Sequence, residues 1–288
     1  MAISGIGLML HTQQDVFIDP TSAGTSRMGP GARLLMDPRW SWLKRLWFSL
    51  QRSFSWLLPS PQRQPTGFPG PGDRIINSRG IPGTLGCIAY SADSGEPVFL
   101  SAYHVLHGEN AEKHESVWSP RQGDADCLAY LGKSLGGKIG VVAHQGGQTF
   151  IDCALVGLNS PPEEVFSRGD KTSIPAITGM AEAALGLRVK KLGHATRCTE
   201  GIIRSLAYSQ ACRVNGDIHQ AINQILIGSA VAGARFCEKG DSGAVVLNDD
   251  GGIVGLLWGV TDQGEGIACP ISPVAEELKI RFGAGSRR

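Results

Sequence analysis

From residue 73 onward the chain is a succession of short apolar runs separated by turn residues. GTLGCIAY, PVFLSAYHVL, IGVVAH, TFIDCALVGL, LRVKKLG, GIIRSL, QILIGSAV, GAVVLN and GGIVGLLWGV are rich in β-branched residues and punctuated by Gly, Asp and Asn. That pattern predicts a β-sandwich or barrel. One late segment reads otherwise. Ser272–Phe282 predicts a helix, with Ser272 as N-cap, Pro273 at the first helical position and Gly283 as the stop. No repeat of fixed period organises the chain.

The first 72 residues follow a different pattern. In residues 40–58, Trp40, Leu43, Trp47, Leu50, Phe54, Leu57 and Leu58 recur at helical spacing, with Lys44, Arg45, Gln51 and Arg52 off that stripe. This predicts an amphipathic helix, suited to a partner protein, to the rest of the chain or to a membrane surface. Residues 59–72 hold five prolines and three glycines, a linker composition. Residues 1–39 lack periodicity and are expected to be mostly disordered. The domain boundary is therefore placed at residue 72, with an extension over 1–72 and a folded domain over 73–288.

Composition narrows the functional classes. The 288 residues carry a net charge of +1, and Lys and Arg outnumber acids by four only in the extension. A near-neutral chain lacks the basic stripe that nucleic-acid binding requires. No apolar run reaches the ~18 residues of a membrane span. Seven cysteines without paired spacing fit neither a disulfide framework nor a CxxC metal site and read as small buried hydrophobes. With an amino terminus lacking a basic leader, they point to a cytoplasmic compartment, with peripheral membrane attachment through residues 40–58 left open. The dispersed histidines imply no metal, and nothing implies a cofactor.

The chemistry centres on Gly240-Asp241-Ser242-Gly243. A serine hydroxyl is a poor nucleophile until a base takes its proton, and flanking glycines let backbone N–H groups face an oxyanion. The candidate base is His104, which follows an apolar strand and small residues. The candidate acid is Asp152, a carboxylate inside the otherwise apolar FIDCALVGL, where it needs a hydrogen-bonding partner. His107 competes as base, and Asp124, Asp126 and Asp170 compete as acid.

The order His, Asp, Ser and the GDSG context resemble the chymotrypsin-fold (trypsin-like) serine peptidases. α/β-Hydrolases run Ser, Asp/Glu, His, and Ala244 breaks their GxSxG pattern. KLGHATRCTEGII, residues 191–203, is similar to a stretch of bacterial members, and GIVGLLWGV to the strand that lines the primary specificity pocket. The resemblance spans residues 75–283. It implies an all-β fold of two six-stranded antiparallel β-barrels with a short C-terminal helix, beside the N-terminal extension. It further implies a serine endopeptidase acting on protein or peptide substrates, with His104, Asp152 and Ser242 as the triad and the Gly240 and Ser242 amides as oxyanion hole. Leu257, Trp258 and Gly259 would match the pocket wall. Phe236, six residues before the nucleophile, stands where an acid would select Lys or Arg, so small or apolar P1 residues are expected. The alternative is a catalytically inactive module of this fold that binds a partner through its cleft or its amphipathic arm. Arg74-Ile75-Ile76 resembles a zymogen cleavage site, but only 29 residues separate Ile75 from His104, so an uncleaved protein is expected.

Overall fold

The computed structural model describes residues 16–17, 69–107, 115–121, 124–158, 175–214 and 216–283. The helix expected over 40–58 and the linker as far as residue 68 lie outside them. The first body is a strand ladder: β2 (Arg74–Asn77), β3 (Pro82–Thr84), β4 (Cys87–Ser91), β5 (Pro97–Ser101), β6 (Ser116–Arg121), β7 (Asp124–His144) and β8 (Gly147–Gly157). They pair in the order β4-β5-β8-β7-β6-β2-β3, with late β16 (Ile280–Arg281) added beside β4. The second body holds β10 (Arg188–Gly193), β11 (Arg197–Val214), β12 (Asp217–Ser229), β13 (Val245–Leu247), β14 (Gly252–Val260) and β15 (Gly266–Pro270). These six run β11-β10-β13-β14-β15-β12, and a β11–β12 pairing closes the ring. Two-residue strands add to it in parallel: β1 (Val16–Phe17) on β11 and β9 (Gly179–Met180) on β14.

The apolar runs explain where the core sits. Ile75, Leu85, Phe99, Leu131, Ala154 and Val156 fill the first body. Val189, Ile203, Ile225, Phe236, Val254 and Leu257 fill the second. Between the bodies lies a third cluster that includes Phe150, Ile151, Cys153, Leu256, Trp258 and Cys269. Strand β8 thus faces apolar surroundings on both sides, which is why it reads as an unbroken hydrophobic run rather than an alternating one. Five cysteines (Cys87, Cys153, Cys212, Cys237 and Cys269) are buried and Cys198 is exposed. Burial pushes the Cys212 and Cys237 thiols up to about 12, so these are packing groups rather than nucleophiles.

Two short helices complete the described residues: α1 (Tyr103–Leu106) and α2 (Ile271–Leu278). The second corrects the expected Ser272–Phe282. Pro270 occupies the N-cap position and Lys279 the C-cap, in a left-handed conformation (φ 50°). Pairing of Ile280 and Arg281 with β4 captures the residues that would have extended the helix. None of the helices among the described residues is long and apolar enough to cross a membrane.

Candidate active site

His104 sits on α1, directly after β5, and Asp152 lies midway along β8, whose partner is β5. The β5–β8 ladder therefore brings together two residues 48 apart in sequence. His104 Nδ1 lies 2.6 Å from Asp152 Oδ2, and the His104 backbone N–H donates to Oδ1 at 3.1 Å. Asp152 is fully buried and His104 nearly so. The double contact fixes both the ring plane and the tautomer, because an ionised carboxylate requires the proton on Nδ1 and leaves Nε2 as the basic nitrogen. The competing His107 is engaged elsewhere. It stacks on Tyr103 at 4.5 Å, its Nε2 lies 2.7 Å from Ser134 Oγ, and burial lowers its pKa. The side chains of Asp124 and Asp126, and residue Asp170, lie outside the described set.

Ser242 comes from the second body, and its loop packs on the first through backbone contacts. Thr84 N–H donates to the Ser242 carbonyl at 2.8 Å. Gly243, at φ +96°, packs so closely that a Cβ would collide with Ser101 Oγ and the Thr84 carbonyl and would sit 3.3 Å from the nitrogen of Ala102, the N-cap of α1. Only glycine allows this approach. The Ser242 hydroxyl donates to the Trp258 carbonyl at 3.1 Å rather than to His104. Gly240, at φ +104°, turns the preceding peptide, and among the described residues neither its amide nor that of Ser242 has a protein acceptor. Thr84 Oγ1 braces the loop, donating to the Gly240 carbonyl at 2.8 Å and accepting the His194 N–H at 2.9 Å.

Beneath the serine, Asp241 is fully buried and forms an ion pair with the equally buried Lys191 at 3.0 Å. Its Oδ1 accepts the amides of Ala195 (2.8 Å) and Thr196 (3.1 Å), and its Oδ2 accepts Thr196 Oγ1 (2.6 Å) and the Glu238 amide (3.1 Å). Lys191 Nζ also contacts Thr196 Oγ1 and Arg197 O. Burial by itself would raise the Asp241 pKa, but Lys191 and these hydrogen bonds bring it below the ordinary value. Ile75, the residue a zymogen cleavage would expose, is buried in the middle of β2 opposite Gly83. The cation beside Asp241 is an internal lysine.

The expected pocket residues divide. Phe236 is fully buried with its ring against Gly201 and Gly266, where added Cβ atoms would lie 2.7 and 2.8 Å from it, and over Lys191 Nζ at 5.7 Å. Leu257 meets the same Gly266 position at 2.8 Å. The Gly259 carbonyl faces Cys237 Sγ at 3.8 Å. Trp258 is elsewhere. It is the extra residue of a bulge, since Leu257 pairs with Ala268 and Gly259 with Ile267. The bulge sends its indole between the two bodies, 5.2 Å from the Phe150 ring and apart from the cluster that holds Phe236 and Leu257. Only its carbonyl faces the serine. Among the described residues, no group of three or more His, Cys, Asp or Glu is placed to hold a metal ion.

Solved structures share this fold. A glutamic acid specific serine protease, described as using a histidine triad in substrate binding, superposes with a TM-score of 0.51 at 20% identity, covering 74% of this chain and 100% of its own. Thermobifida fusca protease A gives 0.50 at 18% identity over 75% and 98% of the two chains. A Nocardiopsis protease gives 0.50 at 17% over 74% and 98%. The chain has the chymotrypsin fold. No protein-family model and no curated protein sequence matches it. Sequence reasoning did not single out Lys191, Thr196 or Thr84. Lys191 and Thr196 stood inside the similar KLGHATRCTEGII stretch, whereas no pattern marked Thr84.

Proposed function

We propose that this chain is a serine endopeptidase working through an acyl-enzyme. The observation that carries the reading is the buried His104–Asp152 pair at 2.6 Å, in a fold whose solved examples include serine proteases. Ser242 Oγ attacks the scissile carbonyl while its proton passes to His104 Nε2. The tetrahedral oxyanion is met by the Gly240 and Ser242 amides. Collapse breaks the C–N bond, and the leaving amine takes the proton from His104. Water then repeats the sequence on the acyl ester, with Asp152 remaining ionised throughout. Phe236 occupies the pocket base and offers no anion, which supports small or apolar P1 side chains over Lys or Arg. The Lys191–Asp241 pair supports an enzyme that needs no amino-terminal cleavage to hold its nucleophile loop.

One observation favours the second reading, a non-catalytic binding module: the Ser242 hydroxyl rests on Trp258 O. Labelling decides between the two readings. A fluorophosphonate probe should label the wild-type chain and not Ser242→Ala, with peptide cleavage lost in parallel. A wild-type chain inert to the probe and to a peptide library would overturn the peptidase assignment in favour of the binding module.

A further inference from the structure

His104 and Asp152 belong to the first body and Ser242 to the second, so their alignment depends on whatever holds the seam. At that seam β12 bulges: Tyr208 pairs with Gln224 but Gln210 with Ala221, and Asn223 adopts φ 55°. The bulge places three hydrogen bonds on β8. Asn223 Nδ2 donates to Gln148 O (2.7 Å), Thr149 Oγ1 donates to Asn223 O (3.2 Å), and Gln224 Nε2 donates to Phe150 O (2.8 Å). Gln224 is fully buried. Its amide also donates to Ile222 O (2.9 Å), and its Oε1 accepts Trp258 Nε1 (2.7 Å). An indole can only donate, which settles the amide's orientation and leaves every group satisfied.

Two bulges, in β12 and β14, thus meet in one buried hydrogen bond. On one side, that bond reaches β8 two residues before Asp152. On the other, it holds Trp258, whose carbonyl faces the Ser242 hydroxyl. We infer that Gln224 is a positioning residue that sets β14, whose Trp258 carbonyl accepts the Ser242 hydroxyl, against the strand carrying the acid. The inference rests on the peptidase reading. Bulges re-aim side chains at the cost of ladder hydrogen bonds, and a misplacement of about 1 Å at a reacting centre costs on the order of 10²-fold in rate.

Fluorophosphonate labelling rates of the full chain across pH test it. Gln224→Met keeps the volume but orphans Trp258 Nε1 and Phe150 O, and should slow labelling 10- to 100-fold. Gln224→Glu separates positioning from simple loss of folding. When protonated it accepts from Trp258 and donates to Phe150, and when ionised it cannot donate. The titratable groups around it are Tyr208 across the ladder, His219 on the Phe150 ring and Asp152 further along β8. Burial disfavours the ionised form and has raised buried glutamates to as high as about 8–9, so Gln224→Glu should recover most of the Met variant's loss at pH 7. It should then lose labelling at higher pH, where wild type does not. Wild-type rates in Gln224→Met, or a Gln224→Glu profile superposing on wild type, overturn the inference while leaving the peptidase reading intact. A wild-type chain inert to the probe overturns both.

Discussion

Replacing Lys191 with Met tests how the nucleophile loop is held. The substitution leaves a fully buried Asp241 carboxylate without its cation, 3.0 Å away in the native chain. Removing one partner of a buried pair costs about 3–5 kcal/mol. Four hydrogen bonds from Ala195, Thr196 and Glu238 remain on the carboxylate, which places the effect near the lower figure. At about 2–4 °C per kcal/mol for a domain of this size, Tm should fall by roughly 6–12 °C. Asp241 lies between the two amides proposed to bind the oxyanion, so a carboxylate that turns toward water takes both away. Each such donor is worth about 10²–10³ in turnover, and labelling should fall at least that far. The pH dependence of stability should also reverse. In the native chain the Asp241 pKa lies below its ordinary 3.8, so its contribution is present above that value and lost as pH falls through the folded pKa. In Lys191→Met burial acts without the cation and raises the folded pKa, so stability falls as pH rises from about 4 toward the new value. Thermal unfolding followed by circular dichroism between pH 3 and 9, with labelling at each pH, measures both. A variant within 1 kcal/mol of wild type, with an unchanged pH slope, would refute the account.

Three further substitutions follow from the geometry. Asp152→Asn removes the acceptor that fixes the His104 tautomer and should lower kcat about 10⁴-fold; stopped assays with a cleaved peptide would show a smaller loss if the pair were merely structural. Phe236→Ala should cost about 3–5 kcal/mol and open the space above Lys191 to larger apolar P1 side chains, so an unchanged peptide-library profile would sink the pocket assignment. Thr84→Val keeps the shape but unpairs the Gly240 carbonyl and the His194 amide. It should destabilise by about 1–3 kcal/mol and lower kcat while leaving KM near its native value. Equal changes in both constants would argue that Thr84 supports substrate binding instead.

Much of this molecule follows from local pattern. Alternating and continuous apolar runs between turn residues specify strands, because a pleated surface buries one face or both. Asp152 betrayed itself as a carboxylate in an apolar run, and the glycines around Ser242 as positions where backbone must approach backbone. What the chain could not disclose are choices made between distant segments. The helix at Ile271–Leu278 stops early because β4 competes for Ile280 and Arg281. The indole of Trp258 packs on Phe150 because a bulge, invisible in hydropathy, turns it there. Lys191 reads as the second of two adjacent lysines in LRVKKLG, and only the folded sheet reveals that it neutralises Asp241. Hydrophobic periodicity reports the face each strand buries, a property of neighbours in sequence. Which buried polar group meets which is settled by packing, since the desolvation cost that forces a partner on each arises only once the strands have closed around it.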